Sequence, residues 1–258
     1  MNALNLLALA GLGVAAGLMG SLLGLGGGPI TTPLLTLLFG IPIQQAIGTS
    51  LVAIIGTSSA SAGLYVERKL SDIRLGMVLE LGTTVGAICG ALLALVLSRR
   101  WLTSLFSAFL FCAGTSMVRR AANPPASEED TSQYQVRRTG LGMFLSYLAG
   151  VVSGLLGVGG GPIKVPMMYL VMGVPLKVAT ATSNLMIGVT AAASAYIYYL
   201  NGNILVYPTA PVVLGVFIGS LLGSRVFRRV PTRWIILAFV LVMYYLAVSM
   251  TVQALRMG

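Results

Sequence analysis

The sequence predicts an all-α integral membrane protein made of two inverted repeats, each of about five helical segments. Composition, an internal duplication and the lengths of the apolar runs carry this prediction. Of the 258 residues, 57% are hydrophobic and only 9% are charged. A soluble domain carries about a quarter charged residues, because its surface faces water. The surroundings of most of this chain are therefore the lipid bilayer, and a soluble enzyme or binding module is excluded.

The net charge of +10 does not indicate a nucleic-acid partner, because the basic residues lie in short breaks between apolar runs. The chain has no His, and its two cysteines, Cys89 and Cys112, are isolated within apolar runs. These residues offer neither a metal-ligand set nor a disulfide framework. We therefore expect no metal and no cofactor. An enzyme is the weakest functional class, because paired carboxylates are missing as well.

One segment of the chain occurs twice. The stretch Gly24-Leu-Gly-Gly-Gly-Pro-Ile30 returns as Gly157-Val-Gly-Gly-Gly-Pro-Ile163, an offset of 157 − 24 = 133 residues. The same offset relates further pairs: Pro33 and Pro166, Gly40 and Gly173, Pro42 and Pro175, Thr49-Ser50 and Thr182-Ser183, Trp101 and Trp234. A constant offset without gaps over this distance indicates that one half was duplicated.

The apolar runs define the predicted elements in order. They fall near 4–23, 29–39, 45–66, 74–97 and 101–118, and again near 139–156, 162–172, 178–200, 206–226 and 234–255. The chain thus divides into an N-terminal membrane repeat (1–118), a polar linker (119–138) and a C-terminal membrane repeat (139–258). The first run lacks a basic flank, so we expect a retained membrane segment and not a cleaved signal.

The second run of each repeat is short. A helix needs about 20 residues to cross the hydrocarbon core, which 29–39 and 162–172 do not reach. We therefore expect the first two runs of each repeat to form a broken helical hairpin, joined by the GLGGGP or GVGGGP turn. The sequence is compatible with two arrangements of the short runs: each crosses the membrane fully, or each belongs to a re-entrant hairpin.

The basic residues predict the membrane orientation. If every run changes side, 12 of the 16 Lys and Arg residues share one side, whereas returning short runs give 8 on each side. The positive-inside rule favours the first arrangement. Five side changes per repeat is an odd number, so the second repeat is predicted to be inverted, as in secondary transporters. The linker 119–138 is then cytoplasmic and both termini lie outside.

The two glycine turns are candidate anion sites. Consecutive glycines break a helix, and Pro29 and Pro162 suit the first position of a new helix, whose first amides have no partner within it. Such amides bind anions without a charged side chain. The predicted site residues of the turns are Gly26, Gly27, Gly28, Ile30, Gly159, Gly160, Gly161 and Ile163. The alternative is a tight helix–helix corner that needs small residues.

The two turns, each with a Pro four residues on and a following Gly/Ala-Thr-Ser element, resemble the TauE/SafE sulfite-exporter family. The resemblance extends over nearly the whole chain outside the linker. It implies a permease of the bacterial inner membrane for small sulfur-containing oxyanions such as sulfite, thiosulfate or an organosulfonate. The particular anion, the coupling ion and the direction of transport are not implied.

Polar residues that open the third run of each repeat are further candidates for the substrate site. Thr49 and Ser50 in the first repeat match Thr182 and Ser183 in the second, and Asn184 adds an amide there. Their side chains can donate hydrogen bonds to an oxyanion. The alternative is that these residues cap helices or connect neighbouring helices.

Two ionisable residues lie inside apolar runs. Lys164 is a candidate counter-charge for the anion, or alternatively extends its side chain to the membrane interface. Glu80 is a candidate for proton coupling, although its position near Arg68, Lys69 and Arg74 favours an interfacial ion pair.

Glycines repeat every four residues in two further runs, at Gly82, Gly86 and Gly90 and at Gly215, Gly219 and Gly223. These ridges predict close helix packing, within one chain or in a homodimer. The function favoured by the whole pattern is alternating-access secondary transport of a small anion, because no ATP-binding motif is present. Two alternatives stay open: transport of another solute or ion, and a non-transporting scaffold or sensor subunit.

Overall fold

The computed structural model describes residues 3–122, 134–226 and 232–256, and within these ranges it contains helices and no strand. The first repeat holds α1 (Ala3–Leu23), α2 (Gly28–Phe39), α3 (Ile43–Glu67), α4 (Ile73–Val96) and α5 (Arg99–Ala122). The second holds α6 (Thr139–Leu156), α7 (Gly161–Pro166), α8 (Leu176–Leu200), α9 (Val206–Val226) and α10 (Thr232–Arg256). The all-α prediction is therefore confirmed.

Eight helices in the described part of the chain are long and apolar enough to cross a membrane, namely all except α2 and α7. The short runs differ between the two repeats. Helix α2 continues through Pro33 to Phe39, whereas α7 ends at Pro166 and is followed by a π-helical turn, Met167–Val171. The apolar run predicted near 162–172 thus comprises two helical segments. Proline lacks an amide donor, and wide π-type turns are a common way to accommodate such a break.

Local sequence explains where the helices begin and end. Gly40, in the left-handed conformation, ends α2 and donates its amide to the carbonyl of Leu35. Pro42 and Pro175 precede α3 and α8 with nearly identical dihedral angles. Asp72 caps α4 by accepting a hydrogen bond from the amide of Leu75, 2.9 Å away. These signals are encoded in a few adjacent residues, which is why the sequence indicates the boundaries well.

The repeats are intertwined. Helices α3 and α8 pack against each other and are the most buried of the eight long helices, α1 packs along α9, α4 along α6, and α5 along α10. Exchanging the two repeats converts the α1–α9 contact into the α6–α4 contact, so the main contacts follow the duplication. The inverted membrane orientation of the repeats stays a prediction.

The glycine ridges of α4 and α9 are used inside the chain. A Cβ atom at Gly86 would meet the carbonyl oxygen of Tyr147 on α6, and one at Gly215 would meet that of Ala10 on α1. The missing side chains thus allow the backbones of these helix pairs to approach closely. A homodimer, still a prediction, would have to use other faces of α4 and α9.

The predicted cytoplasmic linker lies largely outside the described residues, which resume at Tyr134. From there the chain is tied to the second repeat, because the amide of Arg137 donates to the carbonyl of Met172. The Tyr134 hydroxyl donates to the Asp72 carboxylate over 2.5 Å. Burial and this hydrogen bond raise the pKa of Tyr134 above its ordinary value.

Candidate functional site

The two glycine turns have nearly the same backbone geometry. Each turn contains three glycines in the left-handed region: Gly24, Gly26 and Gly27 at φ values of 72°, 76° and 78°, and Gly157, Gly159 and Gly160 at 66°, 76° and 73°. A side chain at these positions would be strained, so glycine is required for the path of the chain. The duplication therefore extends to the turn conformation itself.

The turns lie directly against each other. A Cβ atom at Gly28 would meet the carbonyl oxygen of Gly157, and a Cβ atom at Gly161 would meet the carbonyl oxygen of Gly24. These two contacts are equivalent under the 133-residue offset. Residues 20–33 and 153–162 are all buried, so both turns are closed off from solvent by the protein in this conformation.

Several backbone amides in these buried turns show no hydrogen bond to a backbone acceptor among the described residues, including those of Gly27, Gly28, Gly160 and Gly161 at the starts of α2 and α7. The amides of Ile30 and Ile163, which the sequence suggested as anion donors, instead donate to the carbonyls of Gly27 and Gly160 at 3.1 Å. They close the first turn of each helix, which is the usual geometry after an N-cap. The open donors therefore lie on the glycines, just before each proline.

Two serines that the sequence singled out bind the turns from the opposite repeat. Ser50 on α3 donates to the carbonyl of Gly157 over 3.0 Å, and Ser183 on α8 donates to that of Gly24 over 3.2 Å. The hydrogen bonds are again related by the offset. In this conformation both hydroxyls connect a helix to a turn of the other repeat. This contact agrees with the alternative role, in which these residues connect neighbouring segments.

The two threonines beside these serines occupy different environments. Thr49 shares a 3.0 Å hydrogen bond with Thr209 of α9, whereas Thr182 accepts the amide of Asp72 over 2.9 Å. Asn184 is held by Ser61, which donates to its Oδ1 over 3.3 Å, and by the carbonyl of Thr180, 3.1 Å from its Nδ2. All three side chains are buried and contribute to the contact between the repeats.

Lys164 and Glu80 form the only ion pair among the described residues. Lys164 Nζ lies 3.2 Å from Glu80 Oε2, and the lysine is fully buried while the glutamate is 9% exposed. The sequence suggested separate roles for these residues. Lys164 was expected to bind the anion or to extend to the interface, and Glu80 to couple protons or to pair with Arg68, Lys69 and Arg74. The structure instead joins them to each other, across 84 residues of sequence.

Lys164 also lies beside the second turn. Its amide donates to the carbonyl of Gly160 over 2.9 Å, and its Cε would be 3.3 Å from a Cβ atom at Gly160. Ser153 is next to the same glycine, with its Cβ 3.6 Å from that position, and its Oγ is buried without a hydrogen-bond partner among the described residues. The second turn thus combines open amides, an unpartnered hydroxyl and an ammonium group.

Sequence reasoning missed several polar residues around the junction. Thr57 donates to the carbonyl of Gly26, and its counterpart Thr190 contacts both Lys164 and Glu80. Tyr65 and Tyr198, also related by the offset, donate to the carbonyls of Ser21 and Gly154 near each turn. Each of these residues recurs as the same residue type at the 133-residue offset, and this recurrence could have identified them as candidates.

A cavity of about 310 Å³ lies elsewhere, between α5 and α10. It is lined by residues such as Arg100, Ser107 and Thr251 and includes no residue of either turn. The candidate site at the turns is therefore distinct from this peripheral cavity.

Comparison with known proteins places the chain among membrane transporters. The family model described as sulfite exporter TauE/SafE matches residues 9–250. The probable membrane transporter protein YunE of Bacillus subtilis (strain 168) is 30% identical over 248 residues, covering 88% of this chain and 90% of that protein. The probable membrane transporter protein YfcA of Escherichia coli (strain K12) is 26% identical, covering 81% of this chain and 76% of that protein. No solved structure matches the chain.

Proposed function

The chain belongs to the sulfite exporter TauE/SafE family, and from that premise we propose that it is a secondary transporter of small sulfur-containing oxyanions in the bacterial inner membrane. Sulfite, thiosulfate and organosulfonates are the candidate substrates. The relatives described as probable membrane transporter proteins agree with a transport function.

The proposal rests on the backbone amides at the junction of the two glycine turns. Several amides of the buried turns, among them those of Gly27, Gly28, Gly160 and Gly161, show no backbone acceptor among the described residues. The first amides of a helix have no partner within it, so these donors are available to an acceptor such as a bound anion. An oxyanion has only acceptor atoms and matches a site that offers donors.

The surrounding groups support an anion over a cation or a neutral solute. The Lys164 ammonium, which is paired with Glu80 in this conformation, lies beside Gly160, and the turns that precede α2 and α7 meet at the junction. An oxyanion that enters a dehydrated site must recover its lost hydration from such donors. The Ser153 hydroxyl, which is unpartnered among the described residues, adds one more donor at the second turn.

Transport requires that the junction open to each side in turn. Both turns are closed off from solvent here, so the conformation corresponds to an occluded state of the cycle. The contacts between the turns, and those of Ser50 and Ser183, join the two repeats. We expect a relative movement of the repeats to break them on one side at a time, which is alternating access.

A ligand screen followed by uptake measurements tests the proposal. Thermal unfolding of the purified protein is recorded with sulfite, thiosulfate, ethanesulfonate, acetate and chloride at one ionic strength. We expect the midpoint to rise with one or more of the sulfur oxyanions, because a ligand that binds only the folded state stabilises it. Proteoliposomes should then accumulate the same anion. Stabilisation and uptake by acetate alone, or by none of these anions, would overturn the proposal.

A further inference from the structure

The ion pair of Lys164 and Glu80 is unusual for its location. These are the only charged side chains that the described part of the chain buries, and they come from different repeats, on α7 and α4. A buried ion pair contributes little net stability, because desolvation of both groups offsets their attraction. Ionisable groups at membrane depth therefore point to function.

The first repeat shows that the fold does not need this pair. At the 133-residue offset, Lys164 corresponds to Thr31, Glu80 to Val213 and Thr190 to Thr57. Thr31 and Thr57 simply donate to the carbonyls of Gly27 and Gly26. The residues at these positions around the first glycine turn are thus neutral, whereas those around the second turn include two charges.

Thr190 connects the two charged groups. Its Oγ1 accepts a hydrogen bond from Lys164 Nζ over 2.8 Å and lies 2.6 Å from Glu80 Oε1, to which it donates. Thr84 donates to the same carboxylate oxygen over 3.3 Å. If Glu80 gains a proton, its new O–H group can donate to Thr190 Oγ1, so the carboxylic acid would also be satisfied in this environment.

No second charge competes for Glu80 among the described residues. Helix α7 contributes Lys164, and α8 contributes the neutral Thr190. Tyr147, the titratable residue of α6 that faces α4, lies against Cys89, further along α4. On α3, Tyr65 donates to the carbonyl of Ser21, and Glu67 is exposed. The charge of Glu80 is therefore balanced by Lys164 alone.

We propose that the transported anion replaces the Glu80 carboxylate as the partner of the Lys164 ammonium, and that Glu80 takes up one proton from water when the anion binds. The inference rests on the proposed function, since it assigns the coupling ion to the same site. Before binding, the pair is neutral. A monovalent anion would add one uncompensated negative charge to a buried site, and protonation of Glu80 removes it. The protein would therefore carry one proton with each monovalent anion, without net charge movement.

The proton-to-anion ratio of the unmodified protein tests this inference directly. Proteoliposomes that contain a pH-sensitive dye are exposed to labelled ethanesulfonate, whose sulfonate group does not titrate near neutral pH. We expect the lumen to acidify by one proton for each anion taken up, and uptake to be insensitive to an imposed membrane potential. Uptake of the anion without acidification would overturn the inference and leave the proposed function standing. Absence of uptake for every sulfur oxyanion overturns both.

A variant of the carboxylate provides the second test. Glu80→Gln keeps the shape of the side chain but cannot take up a proton. We expect a pH gradient to drive at least tenfold less anion accumulation, while exchange of labelled for unlabelled anion continues. Anion affinity should rise about tenfold per pH unit of acidification in the parent, over the range in which binding takes up one proton, and stay constant in the variant.

Glu67→Gln, on an exposed acid of α3, is the matched control and should retain coupling. Proton-driven accumulation by Glu80→Gln at the level of the parent would contradict the inference. The measured ratio in the parent decides the question even if Glu80→Gln does not fold.

Discussion

Single residues at the junction differ in which substitutions the folded protein should tolerate. Lys164 and Glu80 neutralise each other, and Thr190 contacts both, so loss of one charge leaves the other buried without a partner. Breaking a buried pair in this way is strongly destabilising, whereas neutral replacement of both partners is much less so. The pair is therefore expected to behave as a unit.

Lys164→Gln and Glu80→Gln should each lower the free energy of unfolding by about 3–5 kcal/mol, the usual effect of an orphaned buried charge. The double variant Glu80→Gln/Lys164→Met should recover most of this loss, because no charge then remains. Thermal unfolding in detergent, with Glu67→Gln as a surface control, measures the effects. Additive losses in the double variant would contradict the expected coupling.

The loss of charge at Lys164 separates two roles of this residue. Lys164→Gln should abolish sulfur-oxyanion binding if the ammonium is the counter-charge of the substrate. Its side chain is fully buried in the structure and contacts Glu80 and Thr190, and it does not extend to a surface. An anion titration of the folded variant, monitored by its unfolding midpoint, makes the measurement. Unchanged affinity would assign Lys164 a structural role only.

Glycines of the two turns should tolerate no side chain. Gly28→Ala and Gly161→Ala would each place a Cβ atom against a carbonyl oxygen of the other turn. We expect a loss of about 1–3 kcal/mol in stability, as for other overpacked positions, together with impaired transport. Gly63→Ala is the matched control, because nothing lies within 4 Å of a Cβ atom there. Equal behaviour of all three variants would show that the turn contact is unimportant.

At the scale of the elements, the start of α8 joins three parts of the chain. Thr182 accepts the amide of Asp72, which caps α4 and also binds Tyr134 at the end of the linker. Ser183, the next residue, donates to the first turn. A change in α8 is therefore transmitted to the α3–α4 connection as well as to the turns.

Thr182→Val removes the hydroxyl but keeps the shape of the side chain. We expect anion affinity to fall by roughly 1–3 kcal/mol because an acceptor atom of the anion loses its donor, and the Asp72 amide loses its acceptor as well. Thr103→Val on α5 is the control, since its hydroxyl donates to Arg99 within its own helix. The affinity and the stability of the anion-free protein are measured together. A loss of stability with unchanged affinity would confine Thr182 to the Asp72 contact.

For the whole molecule, the duplication is visible in both sequence and contacts. The serine–turn hydrogen bonds, the tyrosine–carbonyl bonds and the glycine contacts recur at the same offset. The membrane orientation of the two repeats is predicted only from the distribution of basic residues. It therefore needs a test of its own.

A single cysteine in the linker tests the predicted topology. With Cys89 and Cys112 replaced by serine, Ser127→Cys should react with a membrane-impermeant maleimide only after the cells are permeabilised. The reason is that the 12-to-4 division of basic residues assigns the linker to the cytoplasm. A cysteine at position 3, which should react in intact cells, is the control. Labelling of residue 127 in intact cells would contradict the topology.

The sequence by itself determined the helical segments, the duplication and the glycine breaks between the first two segments of each repeat. Apolar runs set helix lengths, prolines and glycines set their ends, and three glycines per turn allow the left-handed path. Each of these features depends on neighbouring residues. They could therefore be read from the chain before any contact was known. The resemblance of the turns to the TauE/SafE family is confirmed by the match over residues 9–250.

Only the tertiary structure decided which of these parts meet. It brings the turns against each other, assigns the glycine ridges to contacts within the chain, and moves the open donors from Ile30 and Ile163 to the preceding glycines. It also pairs Lys164 with Glu80 instead of joining Glu80 to nearby basic residues. The partners in these contacts between helices lie 61 or more residues apart (147 − 86 = 61 for Gly86 and Tyr147), and helix packing selects them. Sequence proximity favours the wrong partner there, because burial and not distance along the chain decides which charges must neutralise each other.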